Sequence, residues 1–292
     1  MIAELLNSVS SDVVMGMVQT GCAIAICLAV VVLCRCFAVH VERETITSLA
    51  RGLVQMVAVG VVLTVLLPGS LLIGVLILLA MTFAAAATAS RRALGIRGAL
   101  RLSFYSIAAG AGAVIAAMLA TRTLTADIVV LVPVGSMIIA NAMNACAQSM
   151  ERFRADVTAH VGQIEAGLAL GAAPAVTVSP YAQSAVYASL LPRLDMLKSL
   201  GFVWIPGVMA GMLVSGASPV YAGIFQFIIV AMILAASGIA GLVATVLMRT
   251  RAFSKAEQLT LRPRVEAARR SRKPLSIAQI WPFMGPTRSD AK

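Results

Sequence analysis

The chain's 292 residues are 60% apolar and only 12% charged, whereas soluble domains run at roughly 45–50% and 25%. Its 23 basic and 12 acidic residues leave a formal net charge of +11, and the basic excess is gathered into short stretches between long charge-free runs. This balance excludes an ordinary soluble enzyme and an intrinsically disordered chain, and it points to lipid rather than nucleic acid.

A hydrocarbon core of about 30 Å requires about 20 consecutive, mainly apolar residues in a helix, because every backbone N–H and C=O must be satisfied internally. Seven runs free of Asp, Glu, Lys and Arg approach that length: Val13–Cys34, Gly52–Leu67, Ser70–Ala89, Leu102–Thr121, Ile128–Ser149, Ser199–Ser215 and Val220–Met248. The first follows Glu4 and Asp12, where a secretory signal would carry positive charge, so a retained helix is expected. Pro68-Gly69 and Gly216-Ala217-Ser218-Pro219 are so short that the helices they join must form antiparallel hairpins. Between the fifth and sixth runs, residues 176–191 are apolar but interrupted by Ser179, Pro180, Gln183, Ser184 and Ser189. That segment is expected to be an interfacial or cytoplasmic helix ending at Pro192.

Cytoplasmic loops carry the Lys and Arg of a membrane protein. With the N-terminus outside, 22 of the 23 basic residues fall on the inner side, Arg193 and Lys198 among them, and only Arg122 lies outside. The expected architecture is therefore an all-α polytopic bundle of seven transmembrane helices, N-out and C-in, in the cell membrane. Residues 1–248 form the transmembrane domain, with a cytoplasmic loop over 150–198. Residues 249–292, with eleven basic residues and Pro263, Pro274, Pro282 and Pro286, read as a mostly disordered cytoplasmic tail drawn to anionic lipid. The five cysteines, Cys22, Cys27, Cys34, Cys36 and Cys146, are odd in number and sit within or at the ends of spans, which argues against a disulfide framework.

Several chemistries are missing. No Gly-Lys pair occurs, so the chain has no phosphate loop with which to hydrolyse ATP. The predicted spans hold no carboxylate or histidine for ion coupling, since His40 and His160 fall in loops. The last span lacks a lysine for a retinal Schiff base, and neither H-E-x-x-H nor Gly-x-Ser-x-Gly is present. A transmembrane subunit whose energy source lies elsewhere is what remains, with no catalytic site of its own.

Polar residues inside the spans are few. Met137, Asn141, Asn144 and Gln148, at i, i+4, i+7 and i+11, share one face of the fifth span. With Gln55 and Gln226 they either line a translocation path or hold helices together by hydrogen bonds. Pro133 is expected to kink the fifth span, and Pro206-Gly207 to kink or break the sixth. Gly207 and Gly211 form a small-x-x-x-small face suited to close helix contact, at a gate or a dimer interface. Met209 and Met212 stand one turn apart: their thioethers suit a soft metal, and they equally suit gap-filling packing in a chain of 15 methionines.

The loop over 150–198 contains Glu165-Ala166-Gly167-Leu168-Ala169-Leu170-Gly171-Ala172-Ala173-Pro174. Read alone, this is an amphipathic surface helix ended at Leu170-Gly171. It also resembles the E-A-A-x-x-x-Gly loop of ABC-transporter permeases, whose short helix docks on an ATPase subunit. Residues 132–143 (VPVGSMIIANAM), that loop, residues 200–212 (LGFVWIPGVMAGM) and Gly216-Ala217-Ser218-Pro219-Val220 with Gln226 follow in the order seen in the FetB/YbbM-like permeases. That family includes plant aluminium-tolerance permeases and is described as the membrane half of an ABC exporter for iron. The sequence departs from it at Ala140, where a glycine is usual, and at Pro180-Tyr181-Ala182-Gln183, where relatives carry charge. The stretch from Gly171 to Leu191-Pro192 and the basic tail are also longer.

The resemblance implies a permease that pairs with a second copy of itself and with separate ABC ATPase subunits. ATP and Mg²⁺ would belong to the partner, with no cofactor in this chain and no nucleic acid. Glu165, Ala166, Gly167 and Gly171 would then be the coupling residues, and iron or another metal the cargo. The competing expectations are a membrane assembly or sensor module that recruits a partner through the same loop, and a stand-alone secondary carrier.

Overall fold

The computed structural model describes residues 2–37, 42–66, 71–93, 96, 98–254 and 257–261, with backbone alone over 2–14 and 61–66. His40, Pro68-Gly69, Arg97 and the tail from Arg262 onward lie outside the described residues. Among the described residues every regular element is a helix. Five of these helices are long and apolar enough to cross a bilayer: Met15–Cys36, Leu71–Ser90, Ala99–Ala120, Ile128–Ala159 and Pro219–Arg251.

The chain divides into two compact units. The N-terminal unit is a helix pair, α1 (Ile2–Cys36) and α2 (Glu42–Leu66), joined across its turn by an ion pair from Arg35 to Glu42 at 3.3 Å. The run Gly52–Leu66 lies within α2, whose 25 residues extend about 37 Å.

The second unit comprises α3 (Leu71–Ser90), α4 (Ala99–Ala120), α5 (Ile128–Ala159), α6 (Val161–Ala169), α7 (Pro174–Thr177), α8 (Ser179–Ser199), α9 (Gly207–Val214) and α10 (Pro219–Arg251). Small residues set its closest approaches, as expected where lipid tails compete with side chains for apolar contact. A Cβ on Gly110 of α4 would stand 2.5 Å from the Ala236 carbonyl of α10, and one on Gly135 of α5 would stand 2.8 Å from Leu78 of α3. Helix α5 starts with Asp127 capping Val129 N–H at 3.2 Å and tolerates Pro133 in its second turn.

The segment after α6 differs from expectation. Residues 176–191 do not form a helix that ends at Pro192, and 199–215 are not one continuous helix. Helix α8 runs through Pro192 to Ser199, with Ala182, Ala185, Ser189 and Arg193 buried on one face. It lies antiparallel to α10: Ser179 and Arg249 line one pocket, Leu190 packs at Gly238, and Ser189 Oγ meets Gly241. Helix α9 continues the same course, with Met209 against Gly223. Pro192 forfeits one intrahelical hydrogen bond, yet packing against α10 on its buried face keeps the helix intact. The chain then leaves helical geometry at Gly201, whose φ is +82°, and resumes only after Pro206, which caps α9. Eight residues of α9 extend about 12 Å, too short to cross a bilayer alone.

This course also moves two cations. Arg193 and Lys198 are not in a loop: they lie on α8, which runs away from the end of the unit where the other basic residues gather. At that end Arg92 pairs with Glu151 at 3.6 Å, and Arg251 Nη1 donates to the Gly98 carbonyl at 3.4 Å. Arg122 stands at the opposite end, where it lines a pocket with Pro133, Met212 and Tyr221. The helical body also extends past Met248. Helix α10 reaches Arg251, and the chain folds back through Thr260 N–H to the Ala252 carbonyl at 2.8 Å, burying Leu259 and Leu261.

Candidate translocation site

Three features follow one another along α5. At its first turns, a cavity of about 480 Å³ lies between α5, α9 and α10, lined in part by Arg122, Pro133, Met137, Met212, Tyr221 and Phe225. The structure thus brings Met137 of the polar stripe and Pro133 together with Met212, while Met209 packs at Gly223 instead.

One turn further, the Asn141 amide donates to the Met137 carbonyl at 2.9 Å, and the Asn141 carbonyl accepts from Arg193 Nη2 at 3.3 Å. Arg193 is only 6% exposed, and its Nε has no partner. Asn144 is exposed, whereas Gln148 is half-buried with Oε1 unpartnered. Gln226 lies within the packed face of α10, 1% exposed, with neither amide atom hydrogen-bonded. Gln55 belongs to the N-terminal unit and is exposed on α2. Among the described residues nothing lies within 4 Å of a Cβ built on Gly207 or Gly211, so the close contact expected there is not made by them.

At the far end, α5 runs beyond its apolar stretch and hands over to α6 at His160. The junction is built from side chains: His160 stacks on Tyr181 with centroids 5.0 Å apart, Tyr181 donates to Gln163 at 3.1 Å, and Ser184 donates to Asp156 at 3.2 Å. Asp156 is also held by Arg152 at 3.1 Å. Ile164 is buried and Val161 and Leu168 pack against the core beside it, so α6 is seated through three apolar residues while Glu165 and Ala166 are exposed. Gly171, at φ +85°, ends the element in a conformation that favours glycine, and Gly167 packs on Thr177. Leu170 and Val176 stand 89% and 65% exposed on either side of that turn, an apolar knob left uncovered among the described residues.

Arg193 escaped the sequence reading because it follows a proline and was counted with loop bases. The spacing Ala182, Ala185, Ser189, Arg193 is the 3-4-4 rhythm of one helical face, and that signal places it inside.

A charge-poor helical bundle with an amide-lined face and a projecting helix is the anatomy of a polytopic membrane protein. The chain belongs to the uncharacterised protein family UPF0014, whose model matches residues 17–253. It is 28% identical to the UPF0014 membrane protein STAR2 of rice over 85% of this chain and 87% of that one. It is also 28% identical to the protein ALUMINUM SENSITIVE 3 of Arabidopsis thaliana, over 84% and 90%. The probable iron export permease protein FetB of Escherichia coli matches at 28% over 75% of this chain and 85% of its own. No solved structure matches.

Proposed function

We propose that the chain is the membrane-spanning permease subunit of an ATP-driven exporter in the cell membrane. A separate ABC-type ATPase hydrolyses ATP, and iron or another metal ion, free or complexed, is the cargo. The observation that carries this reading is the junction of α5 with α6, a short helix rigidly seated on two long ones that presents Glu165, Ala166 and the Leu170–Val176 knob outward. Family membership alongside the FetB relative, named a probable iron export permease, supports the metal and the direction.

In this reading α1 to α5, the broken α8–α9 pair and α10 make seven crossings, N-out and C-in. Segregation of Arg92, Arg249 and Arg251 at the α6 end supports that orientation, with Arg122 opposite. Two copies meeting on the α8–α9 side form the path. On that side Asp195 and Lys198, 69% and 74% exposed and paired at 3.5 Å, face away from the core. Charges inside a membrane belong against protein or water, not lipid tails.

Reversing charge at Glu165 tests the coupling. Glu165→Lys should abolish co-purification of the ATPase while insertion and thermal stability stay at wild-type levels. Unchanged co-purification removes the coupling role.

A further inference from the structure

We infer that Arg193 anchors an anion site inside the bundle, taking a small multivalent carboxylate or phosphate, alone or as the chelate of a metal. This inference rests on the transport reading and names its substrate class.

A guanidinium carries five donors in a planar fork that matches a carboxylate or phosphate two bonds at a time. Arg193 uses one of them, toward the Asn141 carbonyl, while Nε has no partner and the residue is 6% exposed. No carboxylate among the described residues lies within ion-pair distance of it. The nearest in sequence, Asp195, lies about 200° round the helix and is paired with Lys198. Leu190 packs at Gly238 of α10, so Arg193, about one turn further along α8, sits near the middle of the apolar stretch of α10. A cation at that depth without a counter-charge is costly, and such residues mark ligand and ion pathways.

A cavity lies further along α5, the helix of Asn141. Asn141, which holds Arg193, is bonded to Met137, and Met137 lines the 480 Å³ cavity. Arg122 lines the same cavity, and none of its lining residues is acidic. On the path along α5 proposed here, a solute meets Arg122 in the cavity and then Arg193, bonded to the Asn141 carbonyl one turn past Met137. Among the described residues no group of three or more His, Cys, Asp or Glu side chains is placed to hold a bare metal ion. A cation following this route would be repelled at both arginines, whereas the same metal wrapped in carboxylates or phosphates would be attracted.

The test is equilibrium binding to the purified full chain in detergent, with citrate, inorganic phosphate, ferric citrate and Fe(II) as separate probes. Wild type should bind citrate or phosphate, the stronger of the two identifying the headgroup chemistry, and should not bind Fe(II) alone. Arg193→Gln should weaken anion binding by about tenfold or more, and Arg193→Lys should retain part of it. Arg193→Met separates ligand binding from architecture: it should abolish binding while raising the melting temperature of the ligand-free protein, since it removes an uncompensated buried charge.

Binding of Fe(II) with neither anion, unchanged anion affinity in Arg193→Gln, or a lowered melting temperature in Arg193→Met overturns the proposal. A loss of dimer in Arg193→Gln with no anion effect assigns the arginine to a partner's carboxylate and also overturns it. Co-purification with the ATPase is scored on the wild type in parallel. Anion binding without co-purification breaks the transport reading alone, and co-purification without anion binding breaks only this site.

Discussion

Helices α10 and α8–α9 run side by side in opposite directions over the same distance, and they are built on opposite plans. Helix α10 is an unbroken 33-residue helix with no charged residue before Arg249, and Ala236, Ala240 and Gly241 form its closest contacts. Its neighbour carries Pro192, Arg193, Asp195 and Lys198, loses helical geometry from Gly201 to Pro206 and restarts as a single short helix. The continuous member owes its regularity to small side chains that let α4 approach to backbone distance. The broken member carries polar groups and backbone carbonyls freed at its break, groups that lipid cannot satisfy and that only protein or water can. The two neighbouring elements thus divide the work: one packs the bundle together, and the other carries its polar and charged side chains.

The largest effect should come from disturbing the seat of the continuous helix. Gly110→Val places methyl groups where even a Cβ meets the Ala236 carbonyl at 2.5 Å, and overpacking of this kind costs about 3 kcal/mol. Thermal unfolding in detergent should show a large fall in melting temperature, and an unchanged value would mean that α4 and α10 do not pack as described. A smaller effect is expected at the break. Gly201→Ala forces a side chain into φ +82°, costing about 1 kcal/mol, and transport should fall more than stability if the break serves the path. Smallest is the single amide in the packed face of α10. Gln226→Leu removes two unpartnered polar atoms at nearly constant volume and should leave stability unchanged or raise it by up to about 1 kcal/mol. A clear loss of stability would show that the amide finds partners in the assembled protein.

The same contrast explains what the sequence disclosed. Charge-free runs of 20 residues announce themselves, so α3, α4 and α10 are legible to within three residues at each end, and α5 is legible at its start but runs ten residues past the expected Ser149. Helix α8 was not, because Pro192 and three charged residues within six positions are the ordinary marks of a loop. Only tertiary packing by α5 and α10 keeps those residues helical and draws them into the bundle. The amide stripe on α5 was visible as a periodicity, but its significance lay in Arg193, a residue from another helix that reaches the Asn141 carbonyl across 52 positions of sequence. Gly207 and Gly211 were readable as a packing face, and nothing among the described residues fills it. The C-terminal fold-back rests on Leu259 and Leu261, two apolar residues in a basic stretch whose pattern is too short to register.

Helix α5 has 32 residues and therefore extends about 48 Å, well beyond a hydrocarbon core of about 30 Å. Pro133 lies near one end of this rod and the α6 junction at the other, about 40 Å away. A rotation of about 5° pivoting at Pro133 would swing the junction through roughly 3.5 Å by simple leverage. The reverse holds as well: a push of a few ångströms on α6 reaches the Met137 cavity as a displacement several-fold smaller, the scale on which a single side chain opens or closes a passage.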